Sequence, residues 1–89
     1  ATYRDTDEAI DRANATPFGL AAYLFTSDLG AAQQISARLE AGMVGVNDML
    51  LAAAEAPFGG VKQSGFGREG GQLGILDYLE PRYVKMSAA

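Results

Sequence analysis

The chain has 89 residues, about half of them apolar, and a net charge of −4. That is a globular composition at the small end for an independent unit, where roughly 60–65% of the unfolded surface can be buried. The scattered Lys and Arg form no basic run, which argues against nucleic acid and against an anionic membrane as partners. There is no Cys and no His. Disulfides, thiolate metal sites, a thiol nucleophile, an imidazole base and an imidazole ligand are therefore all excluded.

Ala1 to Arg4 reads as the end of a strand, and Asp5, three residues before Glu8, fits an N-cap with its capping-box partner. Ala9, Ile10 and Ala13 recur at helical spacing, so residues 6–14 are expected as a helix. Asn14 suits a left-handed stop, and Pro17 forbids continuation. Arg4 is followed by acidic residues rather than an apolar core, so no signal peptide is read and a cytoplasmic setting is expected. Leu20 to Thr26 is a nearly continuous apolar run that predicts a strand buried on both faces. Ser27 or Asp28 caps a second helix, with Leu29, Ala32, Ile35, Ser36 and Leu39 inward through Glu40 and Gly42 as its C-cap. Met43 to Val46 is a second short strand. Strand, helix and strand within about 30 residues make one parallel βαβ unit. One and a half such units cannot cover a parallel sheet on both faces, so the sheet is expected to be partial.

Asn47 ends that strand and ties down a turn. Asn47 to Ala56 has no clear period, and Pro57 to Gly71 is glycine-dense and expected to be mainly loop. Gln72 to Leu79 reads as a short helix with Leu73, Leu76 and Leu79 three apart; Pro81 stops it, and Arg82 to Met86 reads as a terminal strand. The expected organisation is an α/β piece over residues 1–80 followed by a tail over 81–89.

The segment Gly65-Phe66-Gly67-Arg68-Glu69-Gly70 is a literal G-x-G-x-x-G. It lacks the strand that should lead into a dinucleotide fingerprint and the acidic residue about 20 positions later. Lys62-Gln63-Ser64 after Gly59-Gly60 has the wrong spacing for a phosphate loop. The better reading of these glycines is backbone freedom and close approach.

The run Pro57-Phe58-Gly59-Gly60-Val61-Lys62-Gln63-Ser64-Gly65-Phe66-Gly67-Arg68-Glu69 resembles the C-terminal signature of the aldehyde dehydrogenase superfamily. Asn14 to Leu20, Phe25 to Asp28, Gly42 to Asn47 and Gly74 to Tyr78 follow in that family's order and spacing, so the resemblance covers essentially the whole chain. Within the superfamily it is most similar to succinate-semialdehyde dehydrogenases. The resemblance implies a partial βαβ sheet of the catalytic domain and a C-terminal oligomerisation strand. It also implies oxidation of an aldehyde to an acid with NAD or NADP in the intact enzyme. The family's nucleophilic Cys, Glu base and cofactor domain lie N-terminal to the matching segment, so this chain alone is expected to be inactive and to bind no cofactor.

By the same resemblance Phe58 lines the aldehyde entrance, the alternative being plain packing. Ala52 lies in the substrate-facing loop Met49 to Ala56, where succinate-semialdehyde enzymes often carry a Ser that helps hold the distal carboxylate. Here the loop reads Ala52-Ala53-Ala54, with Glu55 beside it, which does not favour a carboxylate. Glu69 matches a carboxylate near the base and the water path, the alternative being a partner for a neighbouring cation. Arg68 and Glu80 match structural positions near the subunit contact. In the tail, Tyr83 and Met86 are expected to make apolar contact, with Arg82 and Lys85 nearer solvent. The implied partners are the rest of the dehydrogenase chain, further copies in a homo-oligomer and a small aldehyde. Two other readings compete: a free-standing non-catalytic interaction module, and a nucleotide-binding module built on Gly59 to Gly71.

Overall fold

The caps decide where the helices start. In a computed structural model that describes residues 1–88, Asp5 sits in extended backbone and its carboxylate accepts the Glu8 N–H at 2.8 Å, starting α1 (Thr6–Asn14). Ala89, the end of the expected tail, lies outside the described residues. Glu8 departs from the usual capping box: its carboxylate reaches back one residue further and accepts the Arg4 N–H at 3.0 Å. That backbone bond first, and the Arg4 guanidinium second, hold the Glu8 carboxyl below its ordinary value. The lowered value means that this anchor stabilises α1 above the ordinary carboxylate range and is lost as pH falls through the folded value. Asp28 repeats the device, accepting the Ala31 N–H at 3.0 Å to start α2 (Leu29–Arg38).

Four short strands complete the framework: β1 (Phe18–Gly19), β2 (Ala21–Leu24), β3 (Met43–Val46) and β4 (Val61–Lys62). β2 and β3 pair in parallel, with Ala21 opposite Met43 and Leu24 opposite Val46, and α2 forms the crossover between them. The tie expected of Asn47 is present in a stronger form. Its backbone takes the left-handed conformation, φ 57°, and its side chain pairs with both backbone groups of Thr26. Oδ1 accepts the Thr26 N–H and Nδ2 donates to the Thr26 carbonyl, each at 2.8 Å. A side-chain amide thus replaces the next peptide group and carries the ladder one step further.

Several expectations are corrected. The strand expected over residues 20–26 is four residues long and is not buried on both faces: Tyr23 and Phe25 are exposed, because a two-stranded ladder cannot cover itself. Ala1 to Arg4 forms no strand. Asn14 is not left-handed; the chain leaves α1 through Ala15 at φ −77°. Its side chain bridges the two helix ends instead, donating to the Arg38 carbonyl and accepting the Glu40 N–H, each at 2.9 Å. α2 stops at Arg38 with Leu39 as its cap, so Gly42 is no C-cap. Gly42 is glycine because a Cβ there would run into the Gly59 carbonyl.

The Gly-rich stretch is mainly loop, as expected, with one short ladder in it. β4 pairs antiparallel with β1, Phe18 opposite Lys62 and Gly19 opposite Val61. The helix expected over residues 72–79 is a 3₁₀ turn, Gly74–Tyr78. Leu73, Leu76 and Leu79 are spaced at three, which is the 3₁₀ repeat of three residues per turn. All three remain about half exposed, so there is no packing gain to draw the turn into an α-helix.

Residues 81–88 carry neither helix nor strand. The strand expected over 82–86 is not formed within this chain, since a strand requires a ladder and no residue from 80 to 88 shares a backbone hydrogen bond with another described residue. Tyr83 and Met86 are 86% and 88% exposed. The radius of gyration is 18.2 Å and the long axis 72 Å, against about 12 Å for a compact chain of this length. Ile10 and Ala32 are the only buried apolar residues among those described.

A candidate substrate-facing depression

The site is built on one pair of facing residues. Phe58 and Glu69 form an isolated antiparallel bridge in which each N–H donates to the other's carbonyl at 2.7 Å. Directly opposed residues of an antiparallel pair put their Cβ atoms on the same face. The Phe58 ring and the Glu69 carboxylate therefore stand side by side. Both border an open depression of about 440 Å³ whose other walls are Ala52, Ala53, Ala54 and Gly70. Three residues named from sequence, Ala52, Phe58 and Glu69, are thereby brought together.

The alanine wall is held by the glycines. Gly71 N–H donates to the Ala54 carbonyl at 2.9 Å, and Ala56 N–H closes a turn onto Ala53 at 3.2 Å. Gly70 and Gly71 take positive φ, 71° and 59°, where a Cβ would press on the carbonyls of Ala56 and Glu55. The loop 53–56 lies directly on this pair of glycines, an approach a side chain would block.

Arg68 secures the bridge from the other side. Its Nη1 donates to the Gly60 carbonyl at 2.9 Å and to its own neighbour Gly67 at 2.7 Å. Its backbone N–H donates to Asp77 Oδ2 at 2.7 Å. A second tie comes from Ser64, whose Oγ accepts the Gly19 N–H at 2.9 Å across 45 positions of sequence. Asp77 and Ser64 were not singled out from sequence, and no local signal marks them: their partners are backbone N–H groups, of Arg68 and of Gly19 in β1. Ala53 and Ala54 come with the expected substrate-facing loop, held by Gly71, and Gly70 joins the site as the residue after the bridge.

The depression is apolar with one carboxylate. Glu69 forms none of the ion pairs found among the described residues, which are Arg4–Glu8, Arg12–Glu8, Arg38–Asp7 and Lys62–Glu40. The carboxylate is exposed to the depression rather than neutralised. No cation lines this space, and Glu55 does not border it either. Glu80, Tyr83 and Met86 lie away from it, in the exposed stretch after the 3₁₀ turn.

The glycines do not make a dinucleotide cradle. Gly65 follows a turn at Ser64 rather than a buried strand, and the segment leads into a 3₁₀ turn instead of an α-helix. Lys62 is not free for a phosphate: its Nζ donates to the Asn14 carbonyl at 2.9 Å and pairs with Glu40. These residues do not fit a nicotinamide dinucleotide.

The pattern of the aldehyde dehydrogenase family matches residues 1–84. The chain is 58% identical over 81 residues to succinate semialdehyde dehydrogenase of Acinetobacter baylyi, covering 90% of this chain and 17% of that protein. It is 55% identical over 82 residues to 3-sulfolactaldehyde dehydrogenase of Pseudomonas putida, covering 92% and 17%. The solved NAD+ complex of an aldehyde dehydrogenase from Bacillus cereus superposes with a TM-score of 0.85 at 45% identity, over 88% of this chain and 16% of that one. The chain thus spans about a sixth of the length of the relatives it matches.

Proposed function

The chain belongs to the aldehyde dehydrogenase family, and from that premise we propose that it works as the C-terminal part of an NAD(P)-dependent enzyme that oxidises semialdehydes to acids. The observation that carries this reading is the depression in which Phe58, Glu69 and the alanine wall meet, within the stretch that matches the family. The segment contributes an apolar wall to the aldehyde site. It contributes no nucleophile, since it has no Cys.

The chemistry on this wall follows from its two side chains. Phe58 excludes water and binds the carbon chain of the aldehyde by apolar contact. Glu69 is an exposed carboxylate in an otherwise apolar setting, placed to orient a water or pass a proton as the acid is formed. The dinucleotide, bound by other parts of the enzyme, serves as oxidant. The distal anion of a substrate such as succinate semialdehyde must be held by cations elsewhere, because this segment brings none to the depression. Residues 82–86 pair as a strand with an edge outside this segment, in the same enzyme or another copy, and that pairing covers Tyr83 and Met86.

The test is Phe58→Ala in the complete enzyme. The ranking of aldehydes by kcat/KM is expected to change by about tenfold, the worth of a lost apolar contact of this size, with KM for NAD(P) unchanged. An unchanged ranking with weakened cofactor binding would overturn the reading. The 89 residues alone are expected to produce no NAD(P)H from succinate semialdehyde.

A further inference from the structure

Asp77 lies outside the depression, yet it is joined to it through consecutive residues. Its Oδ2 accepts the Arg68 N–H at 2.7 Å. Arg68 immediately precedes Glu69, whose N–H and carbonyl are both engaged with Phe58 at 2.7 Å. On the other side of Arg68 is Gly67, at φ 73°, where an added Cβ would lie 2.5 Å from the same Asp77 oxygen. The carboxylate is therefore seated directly on the Gly67–Arg68 peptide, with no space between. The Arg68 side chain locks the same peptide from above through the carbonyls of Gly60 and Gly67.

We propose that Asp77 is a positioning residue that sets the rotation of the Gly67–Arg68 peptide and, through it, where the Glu69 carboxylate and Phe58 ring stand in the depression. Three features support this. A charged acceptor on a backbone N–H makes one of the stronger hydrogen bonds in a protein. The peptide it holds follows a glycine in left-handed backbone, φ 73°, where rotation is less restricted than at any other residue type. The next residue along is the only acidic one bordering the depression. Glu69 has no side-chain partner of its own among the described hydrogen bonds and ion pairs, so its position comes from its backbone. Asp77 also belongs to the 3₁₀ turn Gly74–Tyr78 that leads into the tail. The wall of the depression and the start of the tail therefore share one hydrogen bond.

This inference rests on the substrate-wall reading above, and the experiment separates the two. In the complete enzyme, Phe58→Ala and Glu69→Gln first establish that the wall affects aldehyde ranking or the pH profile of kcat. If neither does, the substrate-wall reading falls, and this inference with it. If they do, Asp77→Ala is expected to change the ranking of aldehydes and the Glu69-dependent pH profile by about tenfold, in line with the steep cost of small misplacements. Asp77→Asn keeps an acceptor oxygen and should restore both to within about twofold. Gly67→Ala pushes on the same contact from the opposite side, so it serves where Asp77→Ala does not accumulate. The two changes together should do no more than one, the non-additivity expected of a shared contact. An Asp77→Ala or Gly67→Ala enzyme that loses thermal stability while keeping its aldehyde ranking and pH profile would overturn the proposal. So would failure of Asp77→Asn to restore them.

Discussion

The stretch from Asp5 to Asn47 and the stretch from Leu79 to Ala88 both carry apolar residues in patterns that suit regular structure, yet only the first forms any. The first supplies its own partners. Asp5 and Asp28 start the helices, β2 and β3 complete each other's ladder, and the side chains of Asn14 and Asn47 satisfy backbone groups where the elements end. The second has apolar residues at 83, 84 and 86, and from residue 80 onward no backbone partner among the described residues. A helix carries its hydrogen bonds within itself, while a strand is defined by what lies beside it. Apolar pattern selects between buried and exposed only after those bonds have somewhere to go.

If that contrast is right, damage to the joints of the first stretch costs far more than changes to the tail. The largest effect is expected at Gly42, where a Cβ would meet the Gly59 carbonyl and lie 2.8 Å from Gly60 Cα, both backbone atoms that cannot swing aside. Gly42→Ala should destabilise the enzyme by about 3 kcal/mol or more, measured by denaturant unfolding; a stability within 1 kcal/mol, roughly the scatter of ordinary substitutions, would break the comparison. Asn47→Ala removes both bonds to Thr26 and leaves a β-carbon residue at φ 57°. The expected cost is about 2 kcal/mol. Asn47→Gly should recover part of it, since glycine accepts the backbone but not the pairing. Equal losses for the two would locate the effect in the hydrogen bonds alone.

The smallest effect is expected in the tail. Tyr83→Ser with Met86→Ser should change intrinsic stability by no more than about 0.5 kcal/mol, as for other exposed positions. If the tail pairs between copies, the same double change should instead lower the assembled mass in light scattering. An unchanged mass would remove the proposed pairing between subunits and leave the tail to pair within its own subunit.

How much of this was legible in the sequence follows the same division. The helices were readable because their start signals are local: Asp5 with Glu8, and Ser27 or Asp28, of which the structure uses Asp28. The parallel pair was readable from two apolar runs at βαβ spacing. β1 and β4 were not, because two residues each, some forty positions apart, leave no period to detect. Gly42 looked like a helix cap because glycine after a helix usually is one; only the approach of Gly59 reveals its purpose. In the site, Ala52, Phe58 and Glu69 came from resemblance rather than from any residue pattern. That they share one depression became visible only with the 58–69 bridge. Asp77 was invisible for the reason that makes it interesting: it binds a backbone N–H, which every residue except proline carries.

Lys62 adds a different kind of vulnerability. Its ammonium group touches Asn14 and Thr16, on the chain leaving α1, and Glu40, just past α2. Two segments distant in sequence, residues 14–16 and Glu40, thus meet at one nitrogen carried by β4. An acyl group placed there would remove the charge and leave a single N–H where three partners are now held. A single chemical mark on one lysine would then act as several mutations at once, and slow acylation relative to the exposed Lys85 would report that the joint is intact.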